Sequence, residues 1–159
     1  MAYIKVVEKG KEGKYSDSES YHDLIHYCCL DPNKVVCNGC ANINSLVFAA
    51  DEMAEVTRAA HKEFGKRISH TIITFSPNEL KHISMDSLNR IAQRCMEHFS
   101  SRYQIVYGIH GTPVAHIHMV MNRVSFVDGK KYPDRYQDRI CFWKHVQNIL
   151  FDYNIRLWK

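Results

Sequence analysis

The chain has no run of about 18 consecutive apolar residues, which excludes a transmembrane helix on sequence grounds. A leader is not expected either, because Met1, Ala2, Tyr3, Ile4 and Lys5 open a β-like run instead of a signal peptide. No internal repeat, low-complexity tract or linker interrupts the 159 residues. A second CxxC and an HxxxH at finger spacing are both missing. These absences point to a single soluble, cytoplasmic domain over 1–159. At 45% hydrophobic and 24% charged residues, it is long enough for one core and too short for two.

What is present is less ordinary. Ten histidines are many for this length. The 21 Lys+Arg against 17 Asp+Glu leave a net charge of +4, which permits nucleic-acid binding without demanding it. Six cysteines (Cys28, Cys29, Cys37, Cys40, Cys95, Cys141) do not imply a disulfide framework in a chain with no sign of secretion. Cys37-Asn-Gly-Cys40, with Cys28 and Cys29 nearby, has two readings: an incomplete zinc site, or reduced and partly buried thiols.

Residues 2–8 read as a first strand and Lys9 to Ser16 as a polar loop. A helix is expected from Ser20 to Cys29, with Ser20 as N-cap, Asp23 three positions on, and Tyr21, Leu24, Ile25 and Cys28 as its apolar stripe. At 100° per residue Tyr27 falls about 130° from the centre of that stripe, so it does not read as a core tyrosine. A longer helix, Ser45 to Phe64, would hold Leu46, Ala49, Ala50, Met53, Thr57, Ala60, His61 and Phe64 on one face and stop at Gly65. Further expectations are a β segment over 69–75, ended by Ser76-Pro77-Asn78, and a helix from Ser84 to Phe99. Strands Gln104 to His110 and Val114 to Phe126 follow, then a hairpin-type turn at Asp128-Gly129 and a helix from Gln137 to Tyr153. The two late strands are joined too tightly to be parallel. The expected class is therefore α+β, an antiparallel-containing central sheet of about five strands flanked by helices.

Alternation along the late strand puts His116, His118, Val120 and Asn122 on one face and Ile117, Met119 and Met121 on the other. Two imidazoles about 7 Å apart on one face can converge on a cation. His110, folded back by a short turn, supplies a third. Three neutral imidazoles leave coordination positions open, as a catalytic metal site does. The plainer reading is a solvent-exposed strand face that happens to be rich in histidine.

The stretch from His110 through His116-Ile-His118 to Asn122-Arg-Val resembles the third motif of MobP-type conjugative relaxases, members of the HUH endonucleases. Three other stretches resemble the family in the same order. They are Tyr27-Cys-Cys-Leu-Asp-Pro-Asn-Lys34, Ser69-His70-Thr-Ile-Ile-Thr74-Phe75-Ser76, and Val124 to Tyr132 through Asp128-Gly129. The likeness spans about residues 20–155. One departure stands out: the family usually carries an acid soon after the first histidine, where this chain has Gly111, Thr112 and Pro113. Asp31, Glu79 or a backbone carbonyl are the candidates to take over that orienting task.

The resemblance implies nicking and rejoining of one DNA strand at a transfer origin, with Tyr27 forming a 5′-phosphotyrosine. A divalent ion, Mg2+ or Mn2+, would be held by His110, His116 and His118. Tyr21 and Tyr15 are the rival nucleophiles. Thr74, His70 and Asn122 are candidate supporting residues, and Lys34, Arg123, Lys130, Lys131, Arg135 and Arg139 candidate phosphate contacts. The partners implied are single-stranded or origin-of-transfer DNA, accessory DNA-binding proteins and a coupling protein, with no membrane insertion. The chain is expected to be the N-terminal catalytic part of a longer protein. Alternatives are an HUH replication initiator or transposase, a metal-dependent phosphodiesterase using water, and a non-catalytic single-strand-binding module.

Overall fold

Alternation along the central strands decides which helices lie on which side of the sheet. In the computed structural model, which describes residues 1–7, 15, 17 and 19–158, six strands form one mixed sheet in the order β2-β4-β5-β3-β1-β6. The strands are β1 (Ala2–Val6), β2 (Val35–Ala41), β3 (Ile68–Thr74), β4 (Ile105–His110), β5 (His116–Asn122) and β6 (Leu157–Trp158). All pairs are antiparallel except β1 with β6. The α+β class holds, and the expected count of about five strands becomes six. Neither β2 nor the two-residue β6 was expected. The Lys9–Ser16 loop and the Glu8 end of the first strand lie outside the described residues, Tyr15 excepted.

One sheet face carries Ile73, Ile105, Tyr107, Ile109, Ile117, Met119 and Met121. It packs against Leu88, Ile91, Ala92 and Cys95 of α4 (Met85–Met96) and Phe142, Val146, Ile149 and Leu150 of α5 (Tyr136–Phe151). The opposite face carries Ile68, Val106 and Val120 beneath Tyr21, Leu24 and Ile25 of α1 (Glu19–Ile25) and Ala49, Ala50 and Met53 of α2 (Ala49–Ala59). A short helix, α3 (Pro77–Leu80), follows β3. Its capping box joins Ser76 to Glu79, whose carboxylate also pairs with the Met1 ammonium at 2.6 Å.

Two helix boundaries differ from expectation for visible reasons. Asp17, not Ser20, caps α1: its carboxylate accepts from both the backbone N–H and the hydroxyl of Ser20. After Ile25 the helix widens into a π-helical turn, His26–Leu30. The second helix begins only after a 3₁₀ turn at Leu46–Phe48 and ends at Ala59, because His61 adopts a left-handed φ of 55°. Phe64 therefore leaves the expected apolar face and is 60% exposed. β5 is shorter than the expected Val114–Phe126 strand, although Val124 still bridges Lys131 antiparallel across the expected turn.

Cys37 and Cys40 lie three apart on β2, hence on opposite sheet faces. Cys37 packs toward the α4–α5 core and Cys40 toward the α1–α2 core. One ion cannot take both, so the thiol reading of the CxxC prevails.

Candidate active site

β4 and β5 pair His110 with His116 and Gly108 with His118, which brings the three imidazoles to one end of the α1–α2 face. Ring centroids lie 4.2 Å apart for His110 and His118, 4.8 Å for His116 and His118, and 5.1 Å for His110 and His116. Their ligand atoms all fall within 4.8 Å of one another, so the set could hold one metal ion.

Each ring is turned by a partner on its other nitrogen. His110 Nε2–H donates to the Cys28 carbonyl at 3.2 Å, and His116 Nδ1–H to the Val114 carbonyl at 2.7 Å. His118 Nδ1 meets His70 Nε2 at 2.9 Å, and His70 Nδ1 meets the Tyr15 hydroxyl at 3.3 Å. Read as donors in sequence, His118 Nδ1–H to His70 and His70 Nδ1–H to Tyr15, these bonds leave His118 Nε2 deprotonated. That nitrogen is buried and has no hydrogen-bond partner among the described residues. An orphaned buried imidazole nitrogen beside two others is what a metal ligand looks like without its ion. Burial, then the neighbouring His110, His70 and His116, pushes His118 down to about 3. Burial first, then His116, also lowers His110. Both are neutral at physiological pH, the form that ligates.

Backbone carbonyls thus do the orienting for two of the rings. Glu79 is engaged by Ser76 and Met1, and Asp31 by the Asn33 N–H and Lys34 at 3.5 Å. Neither carboxylate is bonded to His110, His116 or His118.

Tyr27 stands on the π-helical turn, edge-on to His110 and His118 at 5.4 and 5.6 Å between centroids, and is 43% exposed. Lys34 Nζ lies 4.3 Å from its ring centroid. The turn can sit so close only because β4 carries a glycine here: a Cβ on Gly108 would meet the Cys28 carbonyl oxygen at 1.8 Å. The rival tyrosines are enclosed. Tyr21 is fully buried on Thr57 at 2.7 Å and Tyr15 is 7% exposed on His70, and burial raises both phenols.

Other sequence candidates are distributed unevenly. Thr74 pairs with His116 across β3 and β5 and borders the site. Asn122 does not: its amide donates to the Met53 carbonyl and Gln104, and its oxygen accepts from Thr57 and the Val124 N–H, tying α2 to the sheet. Among the six basic candidates Lys34 alone contacts Tyr27. Arg123 and Arg139 pair with Asp134 at 3.6 and 3.0 Å, Arg135 with Asp138 at 3.9 Å, and Lys130 with Asp128 at 3.9 Å. Lys131 is bound to the carbonyls of Phe64 and Lys66. Sequence reading missed Gly108, although an isolated glycine inside a β pattern signals close backbone approach. It allowed for a backbone carbonyl as the orienting group without identifying those of Cys28 and Val114, which no side-chain pattern announces.

No helix among the described residues is long and apolar enough to cross a membrane. A family model described as Relaxase: MobA/VirD2-like, nuclease domain, matches residues 27–155. No curated protein matches the chain.

Proposed function

The chain belongs to the relaxases, through the MobA/VirD2-like nuclease domain that covers most of its length, and from that premise we propose that Tyr27 is the nucleophile of a reversible nicking reaction at a transfer origin. The family supports DNA nicking in mobilisation. The finer chemistry rests on one observation: the exposed Tyr27 ring lies against two of three clustered imidazoles, one of which has a buried nitrogen with no partner.

In the proposed reaction the Tyr27 oxygen attacks the scissile phosphorus. The new O–P bond replaces the bond to the 3′ oxygen, which leaves as a 3′-hydroxyl. The phenol must lose its proton as the new bond forms. The exposed side of Tyr27 gives that proton a path to solvent, and the Lys34 ammonium is placed to favour the charge that develops on the ring oxygen. His110, His116 and His118 would hold a divalent ion. When bound, it would polarise a non-bridging phosphate oxygen and stabilise transition-state charge. The all-imidazole donor set favours Mn2+ over Mg2+, which prefers oxygen ligands. Rejoining runs the steps backwards, with the 3′-hydroxyl attacking the phosphotyrosine. The proposed partner is single-stranded origin DNA.

The test is incubation with oligonucleotides spanning the element's transfer origin plus Mn2+. A protein–DNA adduct that survives denaturation is expected, lost in excess chelator and lost in Tyr27→Phe with single-strand affinity unchanged. An adduct formed by Tyr27→Phe overturns the assignment. Cleavage without any adduct would identify water as the nucleophile.

A further inference from the structure

β3 and β5 run together from Thr74 and His116 beside the site to Ile68 and Asn122 at the far end, four residues or about 14 Å beyond His118. There residues 60–67 lie against the 124–131 hairpin. The Arg123 N–H donates to the Arg67 carbonyl at 2.9 Å, Gly129 sits against Ala60, and Lys131 Nζ bonds the Phe64 and Lys66 carbonyls. These contacts fix the backbone from which Phe64 projects into solvent, 60% exposed. Two ammonium groups flank its ring, Lys131 Nζ at 4.4 Å and Lys62 Nζ at 5.7 Å from the centroid. The hairpin adds Phe126, 43% exposed, and Lys130, whose side chain is 81% exposed. The nearby acids cancel this charge only in part: Asp128 is shared between Arg102 at 2.5 Å and Lys130 at 3.9 Å, and Asp17 acts on Arg67, which leaves Glu63 against Lys62 and Lys131.

We propose that this patch, which nothing in the nicking chemistry uses, is a platform for a single-stranded stretch of the substrate DNA away from the nick, with a base stacked on Phe64 and phosphates on Lys62 and Lys130. The proposal rests on the relaxase reading for its ligand. A ring bounded by cations matches a base bounded by phosphates, and every base offers a π-face once it is unpaired. In a duplex those faces are occupied. An acidic protein would need the lysines and have no use for the ring.

Binding of an oligothymidylate is measured in excess chelator, so that the result depends on neither Tyr27 nor an ion. Phe64→Ala should weaken it about tenfold, and Phe64→Trp should restore it. Lys62→Gln should reduce the slope of log affinity against log salt by about 0.7. Binding of inorganic polyphosphate, which has charge but no bases, should be unchanged in Phe64→Ala. Unchanged oligothymidylate affinity in Phe64→Ala overturns the proposal. So does an equal loss for polyphosphate, or a Phe64→Trp variant no better than Phe64→Ala. Adduct formation by the same variants reports on Tyr27 separately, so a failed platform and a failed nicking site give different results.

Discussion

Ile109, Ile117, Met119 and Met121 point from β4 and β5 toward α4 and α5, while His110, His116, His118 and Asn122, their neighbours in sequence, point toward α1 and α2. The first face is mainly apolar and packs by shape, apart from a cavity of about 310 Å³ bordered by Ile105, Met119 and Met121. The second buries imidazoles that must be kept neutral, turned by carbonyls and by His70, and left short of one hydrogen bond at His118 Nε2. The same strands therefore supply rigidity on one side and unsatisfied chemistry on the other. The second can be tolerated because the first holds the strands in place.

That division predicts which changes separate stability from chemistry. The broadest effect, on stability and chemistry together, is expected where the two meet. Gly108→Ala puts a Cβ 1.8 Å from the Cys28 carbonyl oxygen and forces the π-helical turn off the strand. A loss on the order of 3 kcal/mol in denaturant titrations and no detectable adduct should result. On the apolar face, Ile117→Ala should lower stability by about 2–5 kcal/mol while metal affinity, read by calorimetry on folded protein, stays the same. For His70→Leu metal affinity should fall about 10–100-fold, with a smaller stability loss of about 1–3 kcal/mol because the buried Tyr15 hydroxyl and His118 Nδ1 lose their partner. A large stability loss without an affinity change there would mean that the two faces are not independent.

The effect that is smallest near neutral pH is a slope against pH. His118 is held at about 3, mainly by burial and then by its neighbouring histidines, against an ordinary value near 6.5. The unfolded chain therefore binds a proton that the folded chain refuses. The stability contribution is full above about 6.5 and is lost progressively as pH falls toward 3. Acid titration of metal-free protein should show this loss, and His118→Gln should flatten it. An unchanged slope in that variant would place the acid sensitivity elsewhere.

The histidine face was legible because alternation is local: His116 and His118 two apart on a β pattern must share a side. Tyr27 was legible as a non-core residue by its angle on α1, although the π-helical turn that carries it was not. β2 was hidden because Asn38 and Gly39 are poor strand formers. What makes them a strand is distant in sequence, since the Tyr107 ring covers Gly39 at 2.6 Å from where a Cβ would be. Asn122 shares a face with the ligands yet serves α2, because facing the right way does not specify how far along the strand the site extends. Phe64 was misplaced for a similar reason: helical periodicity continues through 60–64, and only the left-handed turn at His61 shows that the helix has stopped.

Gly108 and His110 belong to one strand, two residues apart, and that spacing has a consequence for fidelity. On the proposed chemistry the enzyme must cut a bond and later remake the same one, with the DNA end stored on Tyr27 in between. The storage post leans on Gly108, and the ion's anchor His110 rises from the same segment of backbone. Thermal drift of the sheet would carry both together. On that chemistry the seam would be opened and closed against a single ruler.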